Sequence, residues 1–330
     1  MKFLIPIVII IVITATVFAF RGFLASQINY DGPSGIETAT PKTTPGEFSM
    51  LFAGDIMLDR SVKKKVTEIG GSDWRFPFLR IAEYTRAADF TMANLEGPVS
   101  SRGVKVGSIY SFRFDPASLE GLKFAGIDMV TLANNHIFDY GQLAFTDSMS
   151  NLTDAGIDYV GVGENFERAH QGVTKNIKGT KVTFLGYTEF YSQQLAATAD
   201  KAGIAFLERE QMEEDIRVAK SRSDLVVINI HKGDEYHTNH NASQEIIYKA
   251  AIDAGADLVV GHHPHVVQEV EKYNDGWIAY SLGNFVFDQD FSEETMKGIF
   301  LRVIVQNKKI ASVDSVPYNI SSSFQPYLAE

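Results

Sequence analysis

AGADLVVGHHPHVVQ, residues 254–268, is where the architecture is decided. Leu258 to Val260 is an apolar run too short for a buried helix, which makes it a strand covered on both faces. The pattern before it, Asn241 to Ala254, reads as an amphipathic helix opened by a capping box of Asn241 and Gln244. Gly255 ends that helix, and three imidazoles follow the strand. The same grammar of helix, Ala-Gly-Ile-Asp and strand recurs at Ala125–Asp128 and Ala155–Asp158. Repeated units of this kind predict a largely parallel sheet with helices on its faces.

Working outward, Phe48–Ala53, Phe90–Ala93, Met129–Ala133 and Leu225–Ile230 read as further buried strands. Ser61–Thr67, Pro77–Ala87 and Glu208–Lys220 read as helices. Asp115 with Pro116 behind it opens another, which Gly126 ends. Toward the C-terminus, Ile278–Leu282, Ile299–Gln306 and Ile310–Val316 are expected strands, the last two joined by a turn at Asn307 and Lys308. The expected class is therefore a mixed α/β fold.

Composition narrows the function. The 330 residues are 45% hydrophobic and 12% aromatic, enough for one sizeable core. A formal net charge of -11 argues against nucleic acid, which calls for a basic stripe; Lys63–Lys65 is too short and reads as a solvated helix face. There is no cysteine, so disulfides, thiolate nucleophiles and cysteine-zinc sites are excluded. Any metal must take oxygen and nitrogen donors.

Phe3 to Phe20 is almost wholly apolar and follows Lys2, which predicts a membrane anchor over residues 1–21 with the body outside the membrane. A cleaved signal peptide is the competing reading; the length of the apolar run and the poor cleavage pattern favour the anchor. Residues 22–47, rich in Ser, Gly, Thr and Pro, are expected to be a flexible stalk, and residues 48–330 the folded body.

Six segments deliver polar residues just beyond an apolar strand: LFAGDIML, FTMANLEG, VTLANNHIFD, VVINIHKGDEY, VVGHHPHVVQ and YSLGNFVFDQ. Carboxylates, carboxamides and imidazoles brought to one sheet edge are what a divalent cation needs. Asp55 follows a Gly that would let the backbone approach a ligand; a turn aspartate is the plainer reading. Asn94 and Glu96 bracket Leu95. Asn135 and His136 end a buried strand, although adjacent Asn residues also suit tight turns. His231 closes the run Leu225–Ile230. His263 and His265, alternating in an extended segment stiffened by Pro264, are expected to project to one side. His237 and His240 read as solvated and His170 as structural.

Taken in order, GDIML, NLEGPVS, LANNHIFDYG, HKGDEY, GHHPHVVQ and SLGNFVFDQ resemble the CapA or PgsA family of capsule synthesis (poly-γ-glutamate biosynthesis) proteins, within the calcineurin-like metallophosphoesterase superfamily. The likeness runs from about Phe48 to about Val316. It implies two sheets packed face to face, flanked by helices, with a centre of one or two divalent metal ions (Mn, Fe or Zn) at the strand ends. It implies Asp55, Glu96, Asn135, His231, His263 and His265 as metal ligands and His136 as the residue that steadies charge on the substrate. Asn94 is the alternative to Glu96 at the second acidic position. His262 is the alternative in the paired histidines. Glu235, Asn284, Asp288 and Gln289 would stand at the substrate rim or behind the ligands. Met57 stands where ordinary phosphoesterases of this kind carry a histidine, and Asn94-Leu95-Glu96 replaces their Gly-Asp.

The implied partners are an anionic capsule polymer or its precursor and the subunits of a membrane synthase, with no nucleic acid. Two roles stay open: a metal-dependent hydrolase, or a noncatalytic scaffold that holds polymer beside the synthase.

Overall fold

The computed structural model describes residues 46–191 and 193–329. The anchor expected over 1–21 and nearly all of the stalk expected over 22–47 lie outside the described residues. Among the described residues no helix is long and apolar enough to cross a membrane.

Four parallel strands come first among the described residues: β1 (Glu47–Ile56), β2 (Phe90–Leu95), β3 (Met129–Thr131) and β4 (Asp158–Val160). The chain then builds a second sheet from β5 (Val173–Ile177), β6 (Thr180–Thr188), β7 (Leu225–His231), β8 (Leu258–His262), β9 (Val270–Tyr273) and β10 (Gly276–Ala279). Its order is β9-β10-β8-β7-β6-β5, parallel inside and antiparallel at both edges. Finally β11 (Asn284–Val286), β12 (Lys297–Gln306), β13 (Lys309–Ile320) and β14 (Pro326–Leu328) return to complete the first sheet. There β12 pairs antiparallel with the first half of β1, and β11 runs parallel to its end. The expected mixed α/β architecture is what forms.

Side-chain alternation stacks the sheets. Phe48, Met50 and Phe52 of β1, Phe90 and Met92 of β2, Leu225 and Val227 of β7, and Leu258 and Val260 of β8 share one buried cluster between the layers. Phe90 and Phe184 stack within it at 4.7 Å, a contact that adds about 1 kcal/mol to their burial. The alternate residues face outward. Leu51, Ala53, Ala93, Leu95 and Val130 pack with α1 (Arg60–Glu68), α2 (Ala82–Arg86), α3 (Leu119–Phe124) and α4 (Gly141–Ala155). After the short α5 (Phe166–His170), α6 (Arg209–Arg222) and α7 (Ala242–Asp253) cover the second sheet through Met212, Ile216, Tyr248 and Ala251. The result is four layers: helices, sheet, sheet, helices.

The repeated Ala-Gly-x-Asp has a physical reason. Its glycines take φ of 71°, 75° and 116°, the left-handed turn that ends a helix without Cβ strain. Two of its aspartates then cap a neighbouring strand: Asp128 accepts from Thr91 N at 2.8 Å and Asp257 from Val226 N at 2.8 Å. The capping box forms as expected, with Asn241 Oδ1 accepting from Gln244 N at 2.9 Å and Gln244 Oε1 from Asn241 N at 3.0 Å. Asn307 and Lys308 both have positive φ, the two-residue hairpin turn that matches strand twist.

Two expectations change. The helix expected over Pro77–Ala87 is a 3-10 turn, Phe76–Phe78, followed by the short α2; the break lets Phe76, Phe78 and Ile81 bury together in the outer cluster. The segment of His263 and His265 is not extended, for β8 ends at His262 and these residues take φ of 99° and 58°.

Candidate metal centre

Along the inward-facing rows, apolar side chains give way to polar ones at the C-terminal strand ends. On β7 the row runs Leu225, Val227, Asn229, His231; on β8 it runs Leu258, Val260, His262; on β2 it runs Phe90, Met92, Asn94. His231 and His262 are direct cross-strand partners, as are Asp55 and Asn94. The sandwich thus opens into a polar pocket on one edge.

Asp55 reaches that pocket because of a β-bulge. The β1–β2 register shifts between Phe52 and Asp55, so one extra residue turns Asp55 to the face of Phe52 rather than that of Ala53. Gly54 was expected to admit a ligand, but it admits backbone instead: a Cβ there would stand 1.9 Å from Gly283 O. Asp55 N donates to that same carbonyl at 3.0 Å.

Asn94 sits between the carboxylates. Its Nδ2 donates to Asp55 Oδ1 at 2.8 Å and to Glu96 Oε2 at 3.2 Å, and lies 3.5 Å from His231 Nδ1. Asn134 holds it in turn, donating to Asn94 Oδ1 at 3.1 Å and accepting from His136 N at 3.1 Å. His231 Nε2 meets Asn135 Oδ1 at 2.9 Å across the two sheets. His265 Nδ1 lies 3.0 Å from Asn284 Oδ1 and 3.3 Å from Asp55 Oδ2, while its Nε2 is 3.5 Å from Glu96 Oε1. His262 Nδ1 stands 3.2 Å from Asp55 Oδ1 without hydrogen-bond alignment. His136 Nδ1 is 2.7 Å from Asp139 Oδ2, and its Nε2 faces Glu96 Oε1 at 3.8 Å.

Two donor sets emerge, Glu96 with His263 and His265, and Asp55 with Glu96 and His231, each with ligand atoms within 4.8 Å of one another. They share Glu96. Buried atoms here lack partners: Glu96 Oε1, both ring nitrogens of His262, and His263 Nδ1. Orphaned donors and acceptors in a buried site are costly unless something binds them. The left-handed backbone at His263 and His265 is a further local strain, of the kind that collects where ligands are held.

Electrostatics separate the carboxylates. Burial would raise Asp55, but the adjacent imidazoles of His262 and His265 outweigh it and hold the group well below the usual carboxylate range. Burial, then the neighbouring Asp55 charge, pushes Glu96 well above that range, so without a cation it keeps a proton. Burial first, and His263 second, lowers His231 well below an ordinary imidazole; burial and His265 lower His263 to about 3. Neutral imidazoles offer lone pairs, and an ion would take the place of the Glu96 proton.

The structure therefore brings together Asp55, Asn94, Glu96, Asn135, His136, His231, His262, His263, His265 and Asn284. Gln289 stands behind them, accepting from Asn284 Nδ2 at 3.0 Å. Asp288 does not join: it pairs with Arg60 and accepts from Ser61 N at 2.9 Å at the start of α1. Glu235 is exposed on the rim and acts on Glu96 only through its charge. Met57 is committed to the outer apolar cluster, with its sulfur against Asp59 N.

His170 is structural, tied to Asp215 at 2.7 Å. His240 is not freely solvated, since it stacks on Tyr280 at 3.7 Å and meets Glu269. Asp139 went unread in the sequence, although its place three residues after His136 was a usable signal. Aromatic rings finish the rim: Phe112 lies 4.2 Å from His136, and Phe190 lies 4.0 Å from His263.

Comparison with known proteins places the chain in a family. Residues 49–289 match the family model of the bacterial capsule synthesis protein PGA_cap. The capsule biosynthesis protein CapA of Bacillus anthracis is 35% identical over 282 residues, covering 83% of this chain and 68% of the relative. The PGA biosynthesis protein CapA of Bacillus subtilis is 34% identical over 260 residues, covering 78% and 68%. Among solved structures, a phosphatase from Mycoplasma pneumoniae aligns with TM-score 0.50 at 15% identity, covering 83% of this chain and 94% of that one, a likeness of fold.

Proposed function

The chain belongs to the bacterial capsule synthesis protein family of CapA type, and from that membership we propose that it is an accessory protein of poly-γ-glutamate capsule synthesis with a metal-dependent hydrolase centre. The body, residues 48–330, works outside the membrane, held there by the apolar segment Phe3–Phe20. The observation that carries the reading is the pair of donor sets sharing Glu96, with Glu96 Oε1 and His263 Nδ1 buried and without partners.

Asp55, Glu96 and His231 would hold one divalent ion, and Glu96, His263 and His265 a second, with Mn, Fe or Zn all suited to these donors. Such an ion, when bound, polarises a phosphoryl or carbonyl oxygen and draws the pKa of water toward neutrality. Asp139 fixes the ring of His136, leaving Nε2 as the atom that exchanges a proton with a departing oxygen. Asn94 and Asn134 keep the carboxylates from drifting, and Asn284 orients His265. The substrate is the anionic polymer or a precursor of it.

A second reading has its own observation. Met57, buried where related hydrolases place an imidazole, supplies no ligand, which suits a scaffold that binds polymer beside synthase subunits without cleaving it. Metal content of the purified protein, measured together with hydrolysis of an aryl phosphate and of poly-γ-glutamate, tests both. About one or two ions per chain with turnover supports the hydrolase; ions without turnover leave the scaffold; no ion overturns the metal centre.

A further inference from the structure

Between Glu96 and Asp115 the chain carries Arg102, Lys105 and Arg113 and no acidic residue, against a formal net charge of -11 overall; Arg102 is paired with Asp147, which leaves Lys105 as the cation at the tip. This segment is a closed excursion. Val99 bridges Phe114, Ser100 N donates to Phe114 O at 3.0 Å, and Phe114 N donates to Pro98 O at 2.8 Å. It leans on the residue that orients His136, since Val106 N donates to Asp139 O at 2.9 Å and Phe112 N to Asp139 Oδ2 at 2.8 Å.

Its tip is apolar and exposed: Val104 is 80% exposed, Ile109 82% and Tyr110 61%. So many bare apolar side chains in one short loop mark a binding surface. Lys105 stands among them, its ammonium donating to Ile109 O at 3.4 Å. Phe112, toward the end of the excursion, lies 4.2 Å from the His136 ring, and Val106 is bonded to Asp139, so the excursion stands beside the pocket mouth.

We propose that residues 101–111 are a substrate arm that lays a carboxylate-bearing polyamide strand across the mouth of the centre. The methylenes of each repeat rest on Val104, Ile109 and Tyr110, and carboxylates meet Lys105. Positive charge within a Debye length governs the bound strand more than the net charge of the whole protein does. This deepens the capsule reading and rests on it.

The experiment uses the full chain in detergent and fluorescently labelled poly-γ-glutamate, with anisotropy read at low ionic strength. Lys105→Glu/Tyr110→Ser changes only exposed tip residues, and bound metal and thermal midpoint are recorded alongside. The expected result is binding by the unaltered protein and at least a roughly tenfold weaker Kd in the double variant, with metal content equal. Lys64→Glu, on exposed α1, carries the same single charge reversal and is expected to bind as the unaltered protein does. Equal binding by the double variant overturns the arm and leaves the capsule reading standing. An equal loss in Lys64→Glu also overturns the arm, because the attraction is then unspecific. No binding by the unaltered protein overturns both.

Discussion

Asn94 Nδ2 donates to Asp55 Oδ1 at 2.8 Å and to Glu96 Oε2 at 3.2 Å, so a neutral amide stands between two buried carboxylates. Asn94→Asp would set a second carboxylate beside Asp55 in a fully buried pocket. The expected outcome is a metal-free protein destabilised by roughly 3 kcal/mol, largely restored by added Mn or Zn. Thermal melts with and without chelator check it. A variant equally stable in chelator would contradict the charge arrangement.

The contact between His136 Nδ1 and Asp139 Oδ2 at 2.7 Å assigns a positioning role to the aspartate. Asp139→Asn should lower kcat by about 10- to 100-fold with little change in KM or metal content, and His136→Asn should lower it further. Steady-state kinetics on an aryl phosphate, paired with metal analysis, separates these effects from loss of the ions.

Glu269 supplies a pH-dependent term away from the centre. Although burial opposes ionisation, hydrogen bonds from its own backbone, from His240 and from Asn239 hold the group at about 2. A folded value below the unfolded one means the stabilisation is present above about pH 4.5 and is lost as pH falls toward 2. Because the side chain is 41% exposed, the contribution is small. Glu269→Gln is expected to melt about 1–2 °C below the unaltered protein at pH 6, with the gap narrowing below about pH 4.5 and closing near pH 2. A gap constant across that range would refute it.

Gly54→Ala tests the close approach of β1 to the residue before β11. The added Cβ would meet Gly283 O at 1.9 Å, and both partners are backbone. A loss of about 3 kcal/mol or more is expected, read as a lower urea midpoint. A neutral result would show that the two strands can part without cost.

Sequence pattern reached the layers and most of the centre because buried rows repeat every second residue, and the polar break in each row marks the strand end. It could not place Asp55. Strict alternation puts that residue on the outer face with Leu51 and Ala53, and only the bulge after Phe52 reverses it. Nor could it foresee the left-handed turns at His263 and His265, since spacing alone carries no sign of φ. Asp288 misled because a carboxylate beside a cluster of site residues looks alike whether it serves a ligand or, as here, the start of α1.

The first strand of the body is finished by a much later part of the chain: Phe52 pairs with Leu301, and Asp55 with Asn284, the residue that grips His265. While the polypeptide is still emerging from the ribosome, one flank of β1 stays bare and the histidine has no anchor. Contacts so distant along the chain form late. Any ion that needs His265 held in place is therefore bound only after Asn284 has paired with β1, by a molecule that has already found its tertiary shape.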